Sequence, residues 1–504
     1  MNIDVQSSAA QHGELQKMLW EVSQTEKSTV LPDASSLAHA RASLPSSLSA
    51  NGLGFESTRR HVLEDIVPAF NNSSISPRYY GFVTGGVTPA ALFADSIVSA
   101  YDQNVQVHLP EHSISTDVEF TALGLLAELF QFGPEWHNGT FTTGATASNI
   151  LGLACGREYV LRSALERKGE TVVNSVGESG LFETMQAAGL SGVQILSTMP
   201  HSSLVKAAGI LGIGRANCKD VSKNNGPLQF DLKRVETEMQ KTDKVTIIAV
   251  SCGEVNTGLF VTGGLNEMQE LRRLCDEYGG WLHVDGAFGV FGRILSDDPE
   301  FSAIKKGCEG IELADSLAGD GHKMLNVPYD CGFFLCRHQG EAANAFQNAN
   351  AAYLTGGGGQ VQSIPSPLNI GIENSRRFRA LPVYASLLAY GSIGYRMMLQ
   401  RQICLARQIT GWLFDHPKYN VLPHAENKED LLERTYMVVL LSAKDDDLNR
   451  QLAAKINETS KMFVSGTSWD GRPACRIAIS NWRVQEDDDF PIVREVLDSV
   501  SEKA

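Results

Sequence analysis

The chain has 504 residues, of which 43% are hydrophobic and 20% are charged. This length and composition are typical of a globular protein of two or three domains, and they exclude a disordered, collagen-like or small disulfide-rich protein. The formal net charge of −15 disfavours nucleic acid and anionic membranes as partners. The nine cysteines show no metal-binding spacing, and no basic and apolar leader opens the sequence. We therefore expect free thiols, no metal site and a soluble cytoplasmic protein.

The predicted elements divide the chain into three parts. Residues 1–90 have too little apolar periodicity for a core of their own and are interpreted as an N-terminal arm. Residues 91–373 alternate short apolar runs with amphipathic helices, a pattern typical of a mostly parallel α/β sheet. Residues 374–504 begin with a long helix, predicted over 374–408, and continue as a small α+β domain.

The best-defined part of the large segment is a strand–helix–strand pattern that ends at Asp285. A buried strand is predicted over 245–251, a helix follows, and a second strand is predicted over 281–285. Asp285 therefore lies at the carboxyl end of a strand, the edge at which open α/β sheets bind their ligands. The small residues Gly286 and Ala287 follow it and leave room for a flat group. A partner for a cationic ring nitrogen, a metal ligand and a helix cap are all compatible with this carboxylate.

Three further segments carry candidate functional residues. The segment FTTGATASN, residues 141–149, places small residues ahead of a helix, which is compatible with a phosphate-binding turn or with an ordinary helix cap. His201 lies at the entrance to another helix, where a histidine is more often structural. Lys323 follows His322 in a Gly-containing turn between apolar segments, whereas most lysines are solvated on the surface.

In this order along the chain, the four features are the parts needed to bind and use pyridoxal phosphate (PLP). A helix start can hold the phosphate, and a histidine can stack on the ring. An aspartate can keep the ring nitrogen protonated, and a lysine can bind the cofactor covalently. Each feature alone is weak, but their combination predicts a PLP enzyme.

The chain resembles the group II PLP-dependent amino-acid decarboxylases, the family of aromatic-amino-acid, histidine, glutamate and cysteine-sulfinate decarboxylases. The resemblance covers roughly residues 60–500 and is carried by ordered motifs. It implies the fold-type I architecture: an N-terminal arm, a large mixed but mostly parallel α/β domain and a small C-terminal domain. It also implies a homodimer in which a second subunit completes the active site. The motifs are SPRYYGFVTGG, FTTGATASN, PHSSLVKA, WLHVDGAFG, DGHKMLNVPYDCG, SRRFRAL and GRPACRIAISNW.

The resemblance implies four catalytic residues. Lys323 would bind the cofactor covalently, Asp285 would pair with the ring nitrogen, and His201 would stack over the ring. Tyr353 would protonate the substrate carbon after carbon dioxide leaves, from a loop that includes the four glycines 356–359. A surface loop with no part in the chemistry is the alternative interpretation of that segment.

The resemblance further implies contacts to the cofactor and to the substrate. Thr84 lies in a segment that corresponds to the substrate entrance, and Arg476 corresponds to an arginine that can meet a substrate carboxylate. An ordinary ion pair explains Arg476 equally well. Besides Lys323, Asp285 and His201, the implied cofactor contacts are Ala145, Thr146, Ala287 and His322.

The expected reaction is decarboxylation of an L-amino acid to an amine and carbon dioxide. An apolar entrance segment, with Tyr79, Tyr80, Phe82 and Val83, favours an aromatic or neutral substrate. The alternatives are an acidic substrate held by Arg476, or an aldehyde synthase or carbon–carbon lyase on the same fold. Two departures from the family pattern leave the substrate open. Asp320 stands where asparagine is common, and Glu254 stands at a threonine position.

Overall fold

The structure is a computed structural model, and its contacts divide the chain into two compact units. The first unit contains the described residues up to Gly86, Arg401–Lys428 and the chain from Met437 onward. The second contains Val87–Gln400 and Glu429–Tyr436. The three-part division at residues 90 and 373 remains a prediction. The structure describes residues 29–170, 175–224, 226–347 and 364–502, together with Gly13, Lys17, Trp20 and Glu21.

A seven-stranded sheet forms the centre of the second unit. The strands of this unit are β1 (Gly139–Thr142), β2 (Gly192–Ser197), β3 (Cys218–Asp220), β4 (Ser222–Lys223), β5 (Gly226–Phe230), β6 (Lys244–Ser251), β7 (Trp281–Asp285), β8 (Ser316–Asp320) and β9 (Gly332–Cys336). The order in the sheet is β1-β9-β8-β7-β6-β2-β3, and β4 pairs with β5 separately. β3, β2, β6, β7 and β8 run parallel, whereas β9 is antiparallel to β8 and to β1. The sheet is therefore mixed but mainly parallel, as predicted.

Helices alternate with these strands in the second unit, and the first unit has helices of its own. Those of the first part of the chain are α1 (Ala34–Ser43), α2 (Phe55–His61), α3 (Pro89–Tyr101), α4 (Ser115–Leu129), α5 (Ala145–Arg167), α6 (Val176–Ser179), α7 (Leu181–Ala188), α8 (Ser202–Ile210) and α9 (Leu232–Met239). The later helices are α10 (Leu265–Tyr278), α11 (Ser302–Gly307), α12 (Gly321–Met324), α13 (Gln339–Phe346), α14 (Ala380–Asp415), α15 (Lys428–Arg434), α16 (Asp446–Glu458) and α17 (Glu486–Glu502).

α5 packs closely on the central sheet because small residues face β7. A Cβ atom on Gly152 would lie 2.3 Å from Cε1 of His283, and one on Gly156 would lie 2.7 Å from Cδ1 of Trp281. Larger side chains at these two positions would push the helix away from the strand. The close packing holds the first turns of α5 over the carboxyl end of β7.

The predicted strand–helix–strand pattern is confirmed as β6, α10 and β7. The predicted long helix is present as α14, but its start at residue 374 is wrong, because the helix begins at Ala380. Arg376 donates its backbone N–H to Asn104 Oδ1 at 3.1 Å and accepts the N–H of Val105 at 3.4 Å. These long-range bonds keep the segment out of the helix. Non-helical backbone at Gly391 also interrupts α14.

The first unit contains a small antiparallel sheet. Its strands are β10 (Tyr419–Leu422), β11 (Val438–Ala443), β12 (Ser465–Trp469) and β13 (Arg472–Ala478), in the order β10-β11-β13-β12. The segment that contains Tyr80 is bonded to this sheet, because Tyr80 accepts the N–H of Ala478 and donates its own N–H to Phe463. Across the described ranges, no helix is both long enough and apolar enough to span a bilayer.

Candidate active site

Two aspartates mark the carboxyl edge of the central sheet. Asp285 is the last residue of β7 and Asp320 is the last residue of β8, and Asp285 pairs in register with Ala318. Parallel strands bring their carboxyl ends to one edge, so the two carboxylates belong to the same part of the unit. Both are buried. This edge is where the sequence predicts a ligand site.

Lys323 forms an ion pair at this edge. It lies in α12, directly after β8, and its Nζ is 2.8 Å from Oδ2 of Asp320. The other oxygen of Asp320 accepts the backbone N–H of Ala145 at 2.6 Å. Nζ also lies 5.7 Å from the centre of the Phe288 ring. Asp320 therefore joins the lysine to the start of α5, two segments that are far apart in the sequence.

His322 contacts the same carboxylate from the other side. Its Nε2 is 3.5 Å from Oδ1 of Asp320, and its Nδ1 accepts the backbone N–H of Cys331 at 3.2 Å. Burial lowers the pKa of His322, although the charge of Asp320 opposes this shift. A neutral ring with Nδ1 as acceptor carries its proton on Nε2, which can then be donated.

The start of α5 has the features of an anion-binding turn. The residue before the helix, Gly144, has no side chain to cap the first turn, and the Ala145 N–H is instead bonded to Asp320. The first backbone bond of the helix runs from Ser148 N–H to the Gly144 carbonyl at 3.0 Å. The N–H groups ahead of that bond, including that of Thr146, point out of the helix end and favour a negative charge. Thr142 supports the turn, because its Oγ1 accepts the Gly144 N–H at 3.2 Å. Because Asp320 accepts the Ala145 N–H, a phosphate at this turn would be bound by the N–H groups that follow it, beginning with that of Thr146.

The carboxylate of Asp285 receives two hydrogen bonds. Asn149 Nδ2 donates to its Oδ2 at 2.9 Å, and the backbone N–H of Ala287 donates to its Oδ1 at 3.3 Å. Asn149 lies in α5, so the helix with the anion-binding turn also holds this carboxylate. Its donors are an amide and a backbone group, and within the described ranges no group of three or more His, Cys, Asp or Glu side chains could hold a metal ion.

His201 is linked to Asp285 through two side chains. His201 precedes α8 and caps it, since its Nδ1 accepts the backbone N–H of Ser203 at 3.2 Å. The hydroxyl of Ser203 is 2.6 Å from the same Nδ1, and it accepts an N–H of Asn149 at 3.1 Å. The structural role considered for His201 is therefore present, and it coexists with a position near the candidate site.

The structure thus brings together Lys323, Asp285, His201, His322 and Ala145 in one unit. Four further residues belong to the same hydrogen-bond networks and were not identified from the sequence as site residues. A signal existed for one of them, because His283 and Asp285 alternate along β7 and so share a face. Asn149 and Ser203 lie on helices, and no comparable pattern in the sequence points to them. The four residues are Asn149, Ser203, His283 and Asp320.

Thr84 and Arg476 lie in the first unit. Thr84 is buried and donates its hydroxyl to the Gly81 carbonyl at 2.9 Å. Arg476 is buried in β13, where it pairs with Leu440 and Ser465 of the neighbouring strands. Tyr80 of the entrance segment accepts the N–H of Ala478 at the end of β13. The two residues predicted to bind the substrate therefore lie on adjoining segments.

Tyr353 and the glycines 356–359 lie outside the described residues. Of the four apolar residues in the entrance segment, Tyr79, Tyr80 and Val83 are buried and only Phe82 is exposed, to 64%. Among these four residues, only Phe82 therefore presents a large apolar surface to solvent.

A family model, the pyridoxal-dependent decarboxylase conserved domain, matches residues 39–427. The chain belongs to this family. Its cofactor is pyridoxal 5'-phosphate and its reaction class is amino-acid decarboxylation, so the predicted family, fold and cofactor are confirmed. The residues of the site fit this cofactor, because an amine, a buried carboxylate and a glycine-led helix start are joined by hydrogen bonds at one sheet edge.

Relatives of this decarboxylase differ in their substrates. An aromatic-L-amino-acid decarboxylase of Bacillus atrophaeus is 24% identical over 83% of this chain and 80% of the relative. An aspartate 1-decarboxylase of Aliivibrio fischeri is 25% identical over 81% of this chain and 75% of the relative. The crystal structure of Oryza sativa TDC with PLP and tryptamine superposes with a TM-score of 0.80 at 18% identity, covering 100% of this chain and 99% of that one.

Proposed function

We propose that this decarboxylase acts on an L-amino acid with an aromatic or neutral side chain, at the site formed by Lys323 and Asp285. The observation that carries the proposal is the set of hydrogen bonds that joins both residues to α5: Asp320 links Lys323 to Ala145, and Asn149 holds Asp285. One rigid helix thereby relates the amine, the carboxylate and the anion-binding turn. Bound PLP supplies an electron sink for the carbanion that remains after loss of carbon dioxide.

Each residue of the site has a proposed task. The Lys323 amine binds the cofactor covalently, and the Asp285 carboxylate holds the proton on the ring nitrogen. The N–H groups at the start of α5, with Thr146, hold the phosphate, and the His322 Nε2–H is a second donor there. His201 covers one ring face, and the small side chain of Ala287 leaves room at the other. The burial of Asp285 excludes water, which would otherwise compete for the ring proton.

The substrate proposal is supported by Phe82. This residue is 64% exposed and has a φ of 58°, and the next residue, Val83, has a φ of 61°. Such values are costly for bulky side chains, and backbone strain of this kind concentrates at binding sites. The Bacillus atrophaeus relative adds support for an aromatic substrate. The Aliivibrio fischeri relative instead favours the second candidate, an acidic substrate whose side-chain carboxylate meets Arg476.

A substrate screen tests the proposal. The holoenzyme is incubated with each common L-amino acid, and carbon dioxide and amine are quantified, in parallel with Arg476→Ala. We expect release from aromatic or neutral amino acids, with KM nearly unchanged in Arg476→Ala. Release from aspartate or glutamate, with KM raised in Arg476→Ala by about thirtyfold or more, would select the acidic candidate. No release from any amino acid would contradict decarboxylation at this site.

Tyr353 is the proposed proton donor to the substrate carbon after carbon dioxide leaves. We expect Tyr353→Phe to slow amine formation and to give aldehyde, ammonia and peroxide in air, because the carbanion then persists long enough to meet oxygen. Products are compared under air and under argon. An unchanged amine yield without aldehyde in air would remove Tyr353 from the reaction. Aldehyde from the unsubstituted enzyme would select the aldehyde-synthase alternative.

We also propose that the enzyme is a homodimer and that it is cytoplasmic. Large apolar side chains on two helices of the second unit are exposed: Phe93 and Tyr101 of α3, and Leu388 and Ile393 of α14. Covering them in a second subunit would remove this surface from water. All nine cysteines are free thiols, which supports a reducing compartment. Light scattering of the holoenzyme at micromolar concentration should give twice the chain mass, and a monomer mass would contradict the dimer.

A further inference from the structure

A line of buried hydrogen bonds leads through the second unit to the candidate ring-nitrogen partner, Asp285. Trp281 Nε1 lies 3.0 Å from Ser316 Oγ, which lies 2.8 Å from Nδ1 of His283. The other ring nitrogen of His283, Nε2, lies 2.8 Å from Oδ1 of Asn149. Nδ2 of Asn149 then lies 2.9 Å from Oδ2 of Asp285. Five side chains from β7, β8 and α5 thus form one continuous chain.

The chemistry of the end groups sets the direction of every bond. A carboxylate only accepts, so Asn149 must turn its NH₂ group to Asp285 and its oxygen to His283. That oxygen accepts the Nε2–H, and a neutral ring then has Nδ1 as an acceptor for the Ser316 hydroxyl. Ser316 Oγ in turn accepts from the indole of Trp281, which only donates. All donors therefore point toward Asp285.

The neutral state of His283 agrees with this direction. The ring is fully buried, and burial lowers its pKa to about 4, although Asp285 opposes the shift. Gly152 of α5 lies close against the ring, since a Cβ atom there would be 2.3 Å from Cε1, and this contact restricts the movement of the ring. The donor that faces Asn149 is therefore fixed both chemically and sterically.

Asn149 is the branch point of this network. Its second N–H reaches the hydroxyl of Ser203 at 3.1 Å. That hydroxyl can then donate only to Nδ1 of His201, which is 2.6 Å away. One buried amide therefore makes three hydrogen bonds, and two of them lead to the residues that are proposed to hold the ring from its edge and from its face.

We propose that Asn149 is a positioning residue that sets the place of the Asp285 carboxylate and of the His201 ring for the cofactor ring. The inference rests on the proposed function, because it takes Asp285 and His201 as the contacts of that ring. Asn149 acts through these two residues and needs no contact with the cofactor. Its loss should weaken the binding of the ring and leave the binding of the phosphate unchanged.

The test compares two buried amides in the same unit. Gln194 of β2 is also fully buried and also makes three bonds, to the Glu238 carbonyl at 2.9 Å, to Thr246 Oγ1 at 3.0 Å and from Lys219 Nζ at 2.8 Å. Its partners do not include any residue of the candidate site. Gln194→Leu is therefore the matched control for Asn149→Leu, since each replaces a buried amide with an apolar side chain of similar size.

Three quantities are measured on the wild-type protein and both variants: the Tm of the cofactor-free protein, the Kd of PLP by fluorescence titration, and the inhibition constant of inorganic phosphate against PLP. We expect both variants to lower Tm. We expect Asn149→Leu to raise the PLP Kd at least about tenfold, the factor that corresponds to one lost hydrogen bond to a charged group. Gln194→Leu should leave the Kd within about twofold, a change too small for such a bond. The phosphate constant should be unchanged in both.

A purely structural Asn149 would give both variants the same small change in PLP Kd, and this result would overturn the inference. An equal rise in the inhibition constant of phosphate and in the PLP Kd would also overturn the inference. The substitution would then have disturbed the phosphate-binding turn at the start of α5. If Asn149→Leu does not fold, Asn149→Asp is measured by the same criteria, since it keeps the volume and the acceptor for His283 but removes the donor to Asp285. Wild-type protein that binds PLP but releases no carbon dioxide would contradict the proposed function alone.

Discussion

Two buried carboxylates near the carboxyl ends of β6 and β8, the strands on either side of β7, have different partners. Glu254 follows β6, and its oxygens accept N–H groups of Asn256 and Thr257, both at 2.9 Å, and the Thr257 hydroxyl at 2.8 Å. Asp320 ends β8, and its oxygens meet Lys323 and the distant Ala145. The first carboxylate is satisfied within its own loop, whereas the second connects separate segments.

This difference separates a carboxylate that shapes a turn from one that assembles a site. The donors to Glu254 come from the turn itself, at Asn256 and Thr257. The hydrogen bonds of Glu254 can therefore form before the rest of the unit is packed. Asp320 and Asp285 reach their partners only when the sheet and α5 are packed together. A loss at Glu254 should therefore affect folding, and a loss at the strand-end aspartates should affect cofactor binding and rate.

Among substitutions in the candidate active site, Lys323→Ala should have the largest effect on activity. Turnover and the covalent, borohydride-reducible bond to PLP should both be lost, because no other amine pairs with Asp320 in the described part of the chain. Mass spectrometry after borohydride reduction measures the bond. Lys305→Ala, which removes a surface partner of Asp297, is the control and should keep both properties. A reducible bond in Lys323→Ala would contradict the assignment.

Asp285→Asn should come next in size. The rate should fall by several orders of magnitude with the fold intact, because a neutral side chain no longer holds the proton on the ring nitrogen. Single-turnover rates and circular dichroism measure the two properties. A rate close to that of the wild type would give Asp285 the same purely local role as Glu254.

His283→Gln extends the comparison to the network behind Asp285. Burial lowers the pKa of His283 to about 4, so the unfolded chain binds the proton at higher pH than the folded protein does. Its contribution to stability is complete above about pH 6.5 and is lost as pH falls toward 4, by roughly 3 kcal/mol in total. Glutamine keeps a donor for Asn149 and does not titrate. Urea unfolding of both proteins from pH 7 to pH 4 should show a smaller loss in the variant, and parallel curves would contradict the buried neutral state.

The smallest expected effects compare the two carboxylates directly. Glu254→Gln should lower the free energy of unfolding by about 1–3 kcal/mol, because one oxygen that accepts N–H groups becomes a donor. Its PLP Kd should not change. Asp320→Asn should lower the PLP Kd several-fold, because an acceptor for Ala145 is kept while a negative charge beside the phosphate turn is removed. Denaturant curves and PLP titrations of both variants decide the matter. A changed PLP Kd in Glu254→Gln, with an unchanged Kd in Asp320→Asn, would contradict the distinction between the two carboxylates.

Much of the architecture and of the site follows from local sequence. The apolar, β-branched run over 244–251 specifies a buried parallel strand, and the turn after WLHVD puts Asp285 at a strand end. Lys323, His201 and the start of α5 are weak signals one by one, and their combination in this order along the chain predicts the site. These features depend on short stretches of chain, and local stretches are what sequence patterns describe.

Only the tertiary structure decided which of these groups are connected. Asn149 is separated from Asp285 by 136 positions, and Ala145 is separated from Asp320 by 175, so no local pattern pairs them. The start of α14 was misplaced for the same reason, because Arg376 bonds to Asn104 and Val105 of a distant segment. The exposure of Phe82 among buried neighbours also required the packed chain. Sequence determined the elements and the reactive residue types, whereas packing determined the hydrogen-bond partners, since a buried polar group must be satisfied by whatever the fold brings beside it.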